Sequence, residues 1–181
     1  MVTGMVYDIN KFVYKEKINI SIPKLKEEFL SVHGNSTDGI PLYSDYIGNS
    51  LDPKNKWKMV VVKIMGEWEE KNLKTYPVLA DLVKSFGDIC RGAGYSILDP
   101  DGYVPMHTDT EEGHENYVIC HVPIIIPDGD VGFLEGDSRG TWKEGECFLL
   151  DVETPHSIWN YSDKPRIVVL LELLKEKSYE I

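Results

Sequence analysis

Residues 95–109 decide the reading of this chain: Tyr95-Ser96-Ile97-Leu98, then Asp99-Pro100-Asp101-Gly102, then Tyr103-Val104-Pro105-Met106-His107-Thr108-Asp109. Apolar residues flank a cluster in which Pro and Gly supply the backbone angles of a reversal, so the stretch reads as two strands joined by a tight turn. The pattern repeats downstream. Residues 116–126 read as a long strand closed by Pro127-Asp128-Gly129-Asp130. Strands at 131–134, 141–142, 147–152, 157–160 and 166–174 follow, separated by turns such as Lys143-Glu144-Gly145-Glu146. Roughly seven short strands at this spacing indicate a sandwich or barrel of jelly-roll type.

Upstream the pattern is mixed. Residues 18–22 alternate as a short strand, and Pro23 opens a helix whose apolar face is Leu25, Phe29 and Val32. His33 and residues 34–50 read as loop, and residues 57–65 as a strand. Thr75-Tyr76-Pro77 starts a second helix, with Val78, Leu79, Leu82, Val83 and Phe86 on one face and Gly87 at its end. Helices early and strands late define an α+β chain: a double-stranded β-helix (jelly-roll, cupin-like) core with N-terminal helices covering one sheet. One domain is expected over residues 1–181, with 1–90 as helical and strand cover and 91–175 as the core.

With 181 residues and 42% hydrophobic content, the chain can enclose a core and has the composition of an ordinary soluble globular protein. A net charge of −11 argues against nucleic acid and anionic membrane as partners, since both need basic patches. Arg91, Arg139 and Arg166 are three arginines among nineteen basic residues, so the one inside an apolar run stands out. Cys90, Cys120 and Cys147 form no CxxC pair; Cys120 and Cys147, inside apolar runs, read as small buried hydrophobes, and the setting as reducing and cytoplasmic. The first twelve residues carry Asp8 and Asn10 and lack the basic and apolar regions of a signal peptide. No run approaches the roughly 18 apolar residues of a membrane span.

On an extended segment residues i and i+2 point the same way, so His107 and Asp109 can face inward while Thr108 faces out. A third ligand must come from another strand, and Thr154-Pro155-His156 starts one after a proline-fixed turn. Two imidazoles and one carboxylate on one face of an octahedral metal suit non-haem Fe(II), leaving positions for a cosubstrate and O₂. Arg166 then supplies a bidentate clamp for a carboxylate. Singly, each residue has an ordinary explanation: a hydrogen-bonded surface pair for His107 and Asp109, a loop histidine for His156, a strand-opening surface arginine for Arg166. Jointly, their order points to a 2-oxoglutarate-dependent oxygenase. His114, Glu111 and Glu112 read as parts of a solvated loop.

Residues 57–174 also resemble the aspartyl/asparaginyl β-hydroxylase family of Fe(II)/2-oxoglutarate oxygenases. The match is carried by Tyr95-Ser96-Ile97, Pro105-Met106-His107, His121-Val122-Pro123-Ile124, Trp142-Lys143-Glu144-Gly145-Glu146, Asp151, His156-Ser157-Ile158-Trp159-Asn160 and Arg166. The resemblance implies that His107 and His156 bind iron and that Arg166 holds the distal carboxylate of 2-oxoglutarate. It also implies that Ser96 and His121 help to hold this cosubstrate. His121 lies in an apolar run where a polar ring needs a partner; a backbone-bonded core histidine is the other account. Vertebrate aspartyl hydroxylases of the family carry glycine where this chain has Asp109, so the triad here is complete. They also carry arginines just before the histidine that matches His121, where this chain has Tyr117 and Ile119.

The expected activity is hydroxylation of an unactivated C–H of an amino acid, or of a residue in a peptide or protein. Fe(II), 2-oxoglutarate and O₂ take part, succinate and CO₂ are released, and ascorbate is a candidate stimulant. Halogenation is disfavoured because Asp109 takes the position a halide needs. The alternative is a non-catalytic, cupin-like module that holds a metal or ligand.

Overall fold

The computed structural model describes residues 7–48, 51–109, 114–151 and 153–179. In chain order the helices and strands are α1 (Lys15–His33), α2 (Ser44–Ile47), β1 (Trp57–Ile64), β2 (Glu67–Trp68), α3 (Glu70–Leu73), α4 (Pro77–Lys84), β3 (Cys90–Leu98), β4 (Gly102–His107), β5 (Tyr117–Ile125), β6 (Val131–Glu135), β7 (Ser138–Gly140), β8 (Phe148–Leu150), β9 (His156–Asn160), β10 (Arg166–Leu174) and α5 (Lys175–Ser178). The strands form two antiparallel sheets, of six in the order β2-β1-β3-β10-β5-β8 and of four in the order β4-β9-β6-β7. This is the α+β jelly roll expected, and β1 and β2, from the N-terminal part, extend its larger sheet.

Alternation along β10 shows how the layers are made. Ile167, Val169, Leu171 and Leu173 face outward and pack with Ile18, Ile22, Leu25 and Phe29 of α1 and with Leu79 and Val83 of α4. Val168 faces inward and joins Leu98, Val104, Phe133 and Ile158 between the sheets. Burying each large apolar side chain of α1 contributes on the order of 1.5–3 kcal/mol. No residue at the start of α4 caps it through its own side chain. Glu28 of α1 takes that role: its carboxylate accepts the amides of Val78 (2.5 Å) and Leu79 (3.2 Å) and the hydroxyl of Tyr95 (2.7 Å). Three donors from two elements thus converge on one buried acid, which ties both covering helices to the sheet.

The barrel has a closed end and an open end. At the closed end the turn from β3 to β4 meets the connection from β9 to β10, where the Asn160 side-chain amide donates to the carbonyls of Leu98 (2.7 Å) and Lys164 (2.8 Å). At the open end β4 finishes with His107, β6 with Glu135, and β9 begins with His156.

Several expectations need correction. Residues 18–22 are not a strand: α1 runs through them, because Ile18, Ile22, Leu25 and Phe29 make one buried helical face. Pro23 lies on the exposed side of that helix, where the carbonyl it leaves unpaired can be solvated. His33 is the last residue of α1, not a loop residue, and its Nε2 lies 2.6 Å from the Tyr76 hydroxyl. Val32 is exposed, and the expected loop at 34–50 contains the short α2. The strand expected at 141–142 lies instead at β7. Thr141 spends its hydroxyl on the Val131 carbonyl (2.7 Å), and Trp142 turns its indole into the barrel. Residues 110–113 and Val152 fall outside the described residues, as does the side chain of His114. Cys120 and Cys147 are buried and free, as expected, and Cys90 is buried and free as well.

Replacing Glu28 with Ala is expected to lower unfolding stability by about 2–3 kcal/mol, because buried donors lose a charged acceptor. Chemical denaturation monitored by far-UV circular dichroism checks this.

Candidate metal centre

Strands β4 and β9 pair with Tyr103 opposite Trp159, Val104 opposite Ile158 and His107 opposite His156. Three steps on β4 are matched by two on β9, so β4 carries a bulge of one residue. Simple alternation from the inward Val104 would send Met106 inside and His107 out. The bulge reverses this: Met106 is 47% exposed and the His107 ring faces His156, with ring centroids 4.3 Å apart.

Asp109 closes the group. Its Oδ1 lies 3.6 Å from His107 Nε2 and its Oδ2 3.8 Å from His156 Nε2. One ligand atom from each residue falls within 4.8 Å of the others. Both rings are anchored by the nitrogen not used for ligation. His107 Nδ1 donates to the Pro105 carbonyl (2.7 Å) and His156 Nδ1 to the Thr154 carbonyl (2.9 Å). The tautomer this fixes leaves each Nε2 lone pair directed at a common point, as a metal site requires. Burial lowers the His156 pKa, against the opposing pull of the Thr154 carbonyl and Asp109, and favours the neutral, ligating form. Two neutral imidazoles and a carboxylate are a donor set for a divalent transition metal, Fe(II) included.

Deeper in the barrel lies a cation to which no anion is paired among the described residues. Arg166 is 1% exposed, and its Nε and Nη1 have no hydrogen-bond partner among those residues. Burial lowers its pKa to about 9, still above neutrality, so the group remains a cation. The Trp142 ring lies 4.8 Å from the guanidinium carbon, and its indole N–H donates to His121 Nδ1 (3.1 Å). Since an indole can only donate, His121 carries its proton on Nε2. Burial, then the charge of Arg166, pushes the His121 pKa well below the ordinary value, so the ring is neutral. Ser96 is 1% exposed, and its Oγ accepts the Trp57 indole N–H (2.9 Å), leaving its own hydrogen to donate. A buried cation with two open nitrogens beside an indole ring has the chemistry to accept a small anion.

All six residues singled out in the sequence therefore face the barrel interior, in two groups: His107, Asp109 and His156 at the mouth, and Arg166, His121 and Ser96 deeper. Sequence reasoning assigned no functional role to Trp57, or to Trp142, read as part of a strand and of the family resemblance. Their one signal was chemical: a tryptophan that is buried needs a partner for its N–H. Arg91 and Arg139 stand apart. Arg91 pairs with Glu172 (2.5 Å) and stacks on Tyr117 (4.4 Å), whereas Arg139 pairs with Asp130 (2.9 Å) and lies over Trp159 (4.6 Å).

The profile of the aspartyl/asparaginyl β-hydroxylases matches residues 20–176. The chain belongs to this family of hydroxylases. An ornithine lipid ester-linked acyl 2-hydroxylase from Rhizobium tropici is 25% identical over 175 residues, covering 94% of this chain and 60% of that protein. The chain thus spans less than two thirds of that relative's length. Among solved structures, a 2OG-Fe(II) oxygenase family oxidoreductase from Burkholderia pseudomallei aligns with a TM-score of 0.47 at 14% identity, covering 65% of this chain and 67% of that one. A cupin domain from Schizosaccharomyces pombe aligns with a TM-score of 0.44 at 9% identity, covering 67% of each chain. Among the described residues no helix is long and apolar enough to cross a membrane.

Asp109→Ala removes the anionic donor and is expected to weaken Fe(II) or Co(II) binding more than about tenfold, as even outer residues of metal sites cost 10–100-fold. Equilibrium metal titration of the apoprotein measures this.

Proposed function

We propose that this protein is an Fe(II)- and 2-oxoglutarate-dependent hydroxylase, acting on an unactivated C–H of an amino acid or of a residue in a peptide. One observation carries the reading: a triad of two imidazoles and a carboxylate opens into a barrel whose floor holds the unpaired guanidinium of Arg166. Iron held by His107, Asp109 and His156 would supply the oxidising chemistry, in which one atom of O₂ would go to succinate as 2-oxoglutarate loses CO₂ and the other would become the hydroxyl on the substrate.

The remaining work belongs to the chain. Asp109 offsets part of the metal's charge, and the two Nδ1 anchors hold the imidazoles in the ligating tautomer. Arg166 receives the distal carboxylate of 2-oxoglutarate, where low dielectric strengthens the pair. Ser96 donates its hydroxyl hydrogen, and neutral His121 adds an Nε2–H donor without competing as a charge. Trp142 and Trp57 keep these donors aimed and exclude water. The binding energy fixes one orientation of the cosubstrate, with its other end toward the triad.

At the mouth, Tyr117 and Ile119 occupy the positions where aspartyl hydroxylases carry arginines, and Arg91 and Arg139 are engaged by Glu172 and Asp130. The substrate group presented to the iron is accordingly neutral or cationic. A second reading comes from the Rhizobium tropici relative, whose name describes hydroxylation of an acyl chain ester-linked in an ornithine lipid. It keeps the same chemistry and replaces the peptide by an acyl C–H of an amino-acid amphiphile. Succinate release under air with Fe(II) and ascorbate, scored together with +16 Da products, tests both across amino acids, short peptides and amino-acid amphiphiles that carry an ester-linked acyl chain. Absence of turnover together with tight Zn²⁺ retention would mark a non-catalytic cupin-like module.

Arg166→Lys keeps the charge but loses the two-pronged fork. The expected result is a KM for 2-oxoglutarate raised about tenfold or more, with metal affinity unchanged; steady-state kinetics and metal titration separate the two.

Within one peptide series, an Asp at the target position is expected to be used at least about tenfold less well than a neutral residue, since a missing charged partner costs on the order of 1.5–3 kcal/mol. Competition assays with mixed peptides give the ratio of kcat/KM directly.

A further inference from the structure

The turn that delivers His156 is held by a buried carboxylate for which the proposed chemistry has no use. Glu135 ends β6, is 2% exposed and stands in register opposite His156. By alternation with Val131 and Phe133, both in the core between the sheets, its side chain enters the barrel. Its Oε1 accepts the amide of Asp151 (2.8 Å), while Oε2 has no hydrogen-bond partner among the described residues. Asp151 in turn accepts the Thr154 hydroxyl (2.7 Å) and the Glu153 amide (3.3 Å). The Thr154 carbonyl is the acceptor that orients His156 Nδ1 (2.9 Å). The residue after β6 closes the circuit, since the Gly136 amide donates to the Pro155 carbonyl (2.8 Å).

A buried carboxylate held at one oxygen carries a desolvation cost that ordinary packing does not offset. It stands where a packed apolar side chain would serve the core better. Among the described residues the His156 ring is hydrogen-bonded only to a carbonyl of its own turn, so the ring is as well placed as that turn. Two contacts at the end of β6 fix the turn from outside: Glu135 at Asp151, Gly136 at Pro155.

We propose that Glu135 is a positioning residue of the metal centre, setting the height and rotation of the His156 imidazole through Asp151 and Thr154. The inference rests on His156 being a ligand, as read above. Loss of the Glu135 acceptor frees the Asp151 amide, slackens the turn and lets the imidazole leave its ligating pose. The acceptor oxygen is what matters, so a carboxamide can replace it.

Co(II) titration of the apoprotein, read by affinity and by the visible absorption of the bound ion, tests this without turnover. Glu135→Ala is expected to weaken Co(II) binding 10–100-fold and to shift its bands, as removal of outer partners does at metal sites. Glu135→Gln keeps the acceptor and is expected to stay within about threefold of wild type. Glu28→Gln, altering a buried carboxylate remote from the centre, is expected to leave Co(II) affinity unchanged whatever its effect on stability. Should Glu135→Ala not fold, Glu135→Asp, which keeps the charge but draws the oxygen back by one methylene, is expected to show the same loss. Wild-type affinity and spectrum in Glu135→Ala or Glu135→Asp, or an equal loss in Glu135→Gln, overturns the proposal while a loss in His156→Ala leaves the ligand reading intact. Unchanged Co(II) binding in His156→Ala overturns both.

Discussion

Strand β9 runs antiparallel to β4, and the single extra residue in β4 brings His107 opposite His156. The candidate site depends on this pairing. Without the bulge the His107 ring would point to solvent, Asp109 would follow it two residues on, and the barrel mouth would hold one imidazole. The two Nδ1 anchors then convert proximity into readiness, since each ring spends one nitrogen on a backbone carbonyl and keeps the other for a ligand. A bulge at a strand end interrupts the ladder; here that local cost accompanies the placement of a functional side chain.

The deeper pocket follows an opposite logic. At the mouth, polar groups are few and partly satisfied by one another; at the floor, Arg166 is left with open nitrogens in a place water hardly reaches. The walls make this tolerable. Trp142 offers its ring face to the guanidinium and its N–H to His121, and Trp57 does the same service for Ser96. Donors that remain open and aimed before any anion arrives have little reorganisation left to do when one binds. Under the proposed function, mouth and floor would divide the work between metal binding and carboxylate binding.

The covering helices serve both ends by rigidity. Glu28 joins α1, α4 and β3 through three donors, so the larger sheet is braced from outside while its inner face carries Ser96, His121 and Arg166. The smaller sheet has no helical brace, and its support comes from within, through the contacts of β6 with the turn before β9. An outer brace on one sheet and an inner brace on the other explain why two buried glutamates, Glu28 and Glu135, occupy a fold that could otherwise exclude carboxylates from its core.

The strand-turn-strand text around Asp99-Pro100-Asp101-Gly102, the later strands and the order of His107, Asp109, His156 and Arg166 could all be read from the chain, because periodicity and turn chemistry are local properties. The family could be read the same way. What local grammar could not supply was anything set by partners distant in sequence. Residues 18–22 alternate like a strand, yet become helix once Ile18 and Ile22 find the sheet beneath them. The strand expected at Thr141-Trp142 ends one residue earlier, at Gly140, and the Trp142 indole meets His121 of the other sheet, a partner far away in sequence. Likewise, nothing near Glu135 in the sequence marks it, since its role exists only where β6 meets β9. The sequence by itself determined the class of fold and the identity of the metal-site candidates. Tertiary structure decided which way His107 faces, which arginine is left unpaired and which carboxylates hold the frame, because each of these is settled by contacts between segments far apart in the chain.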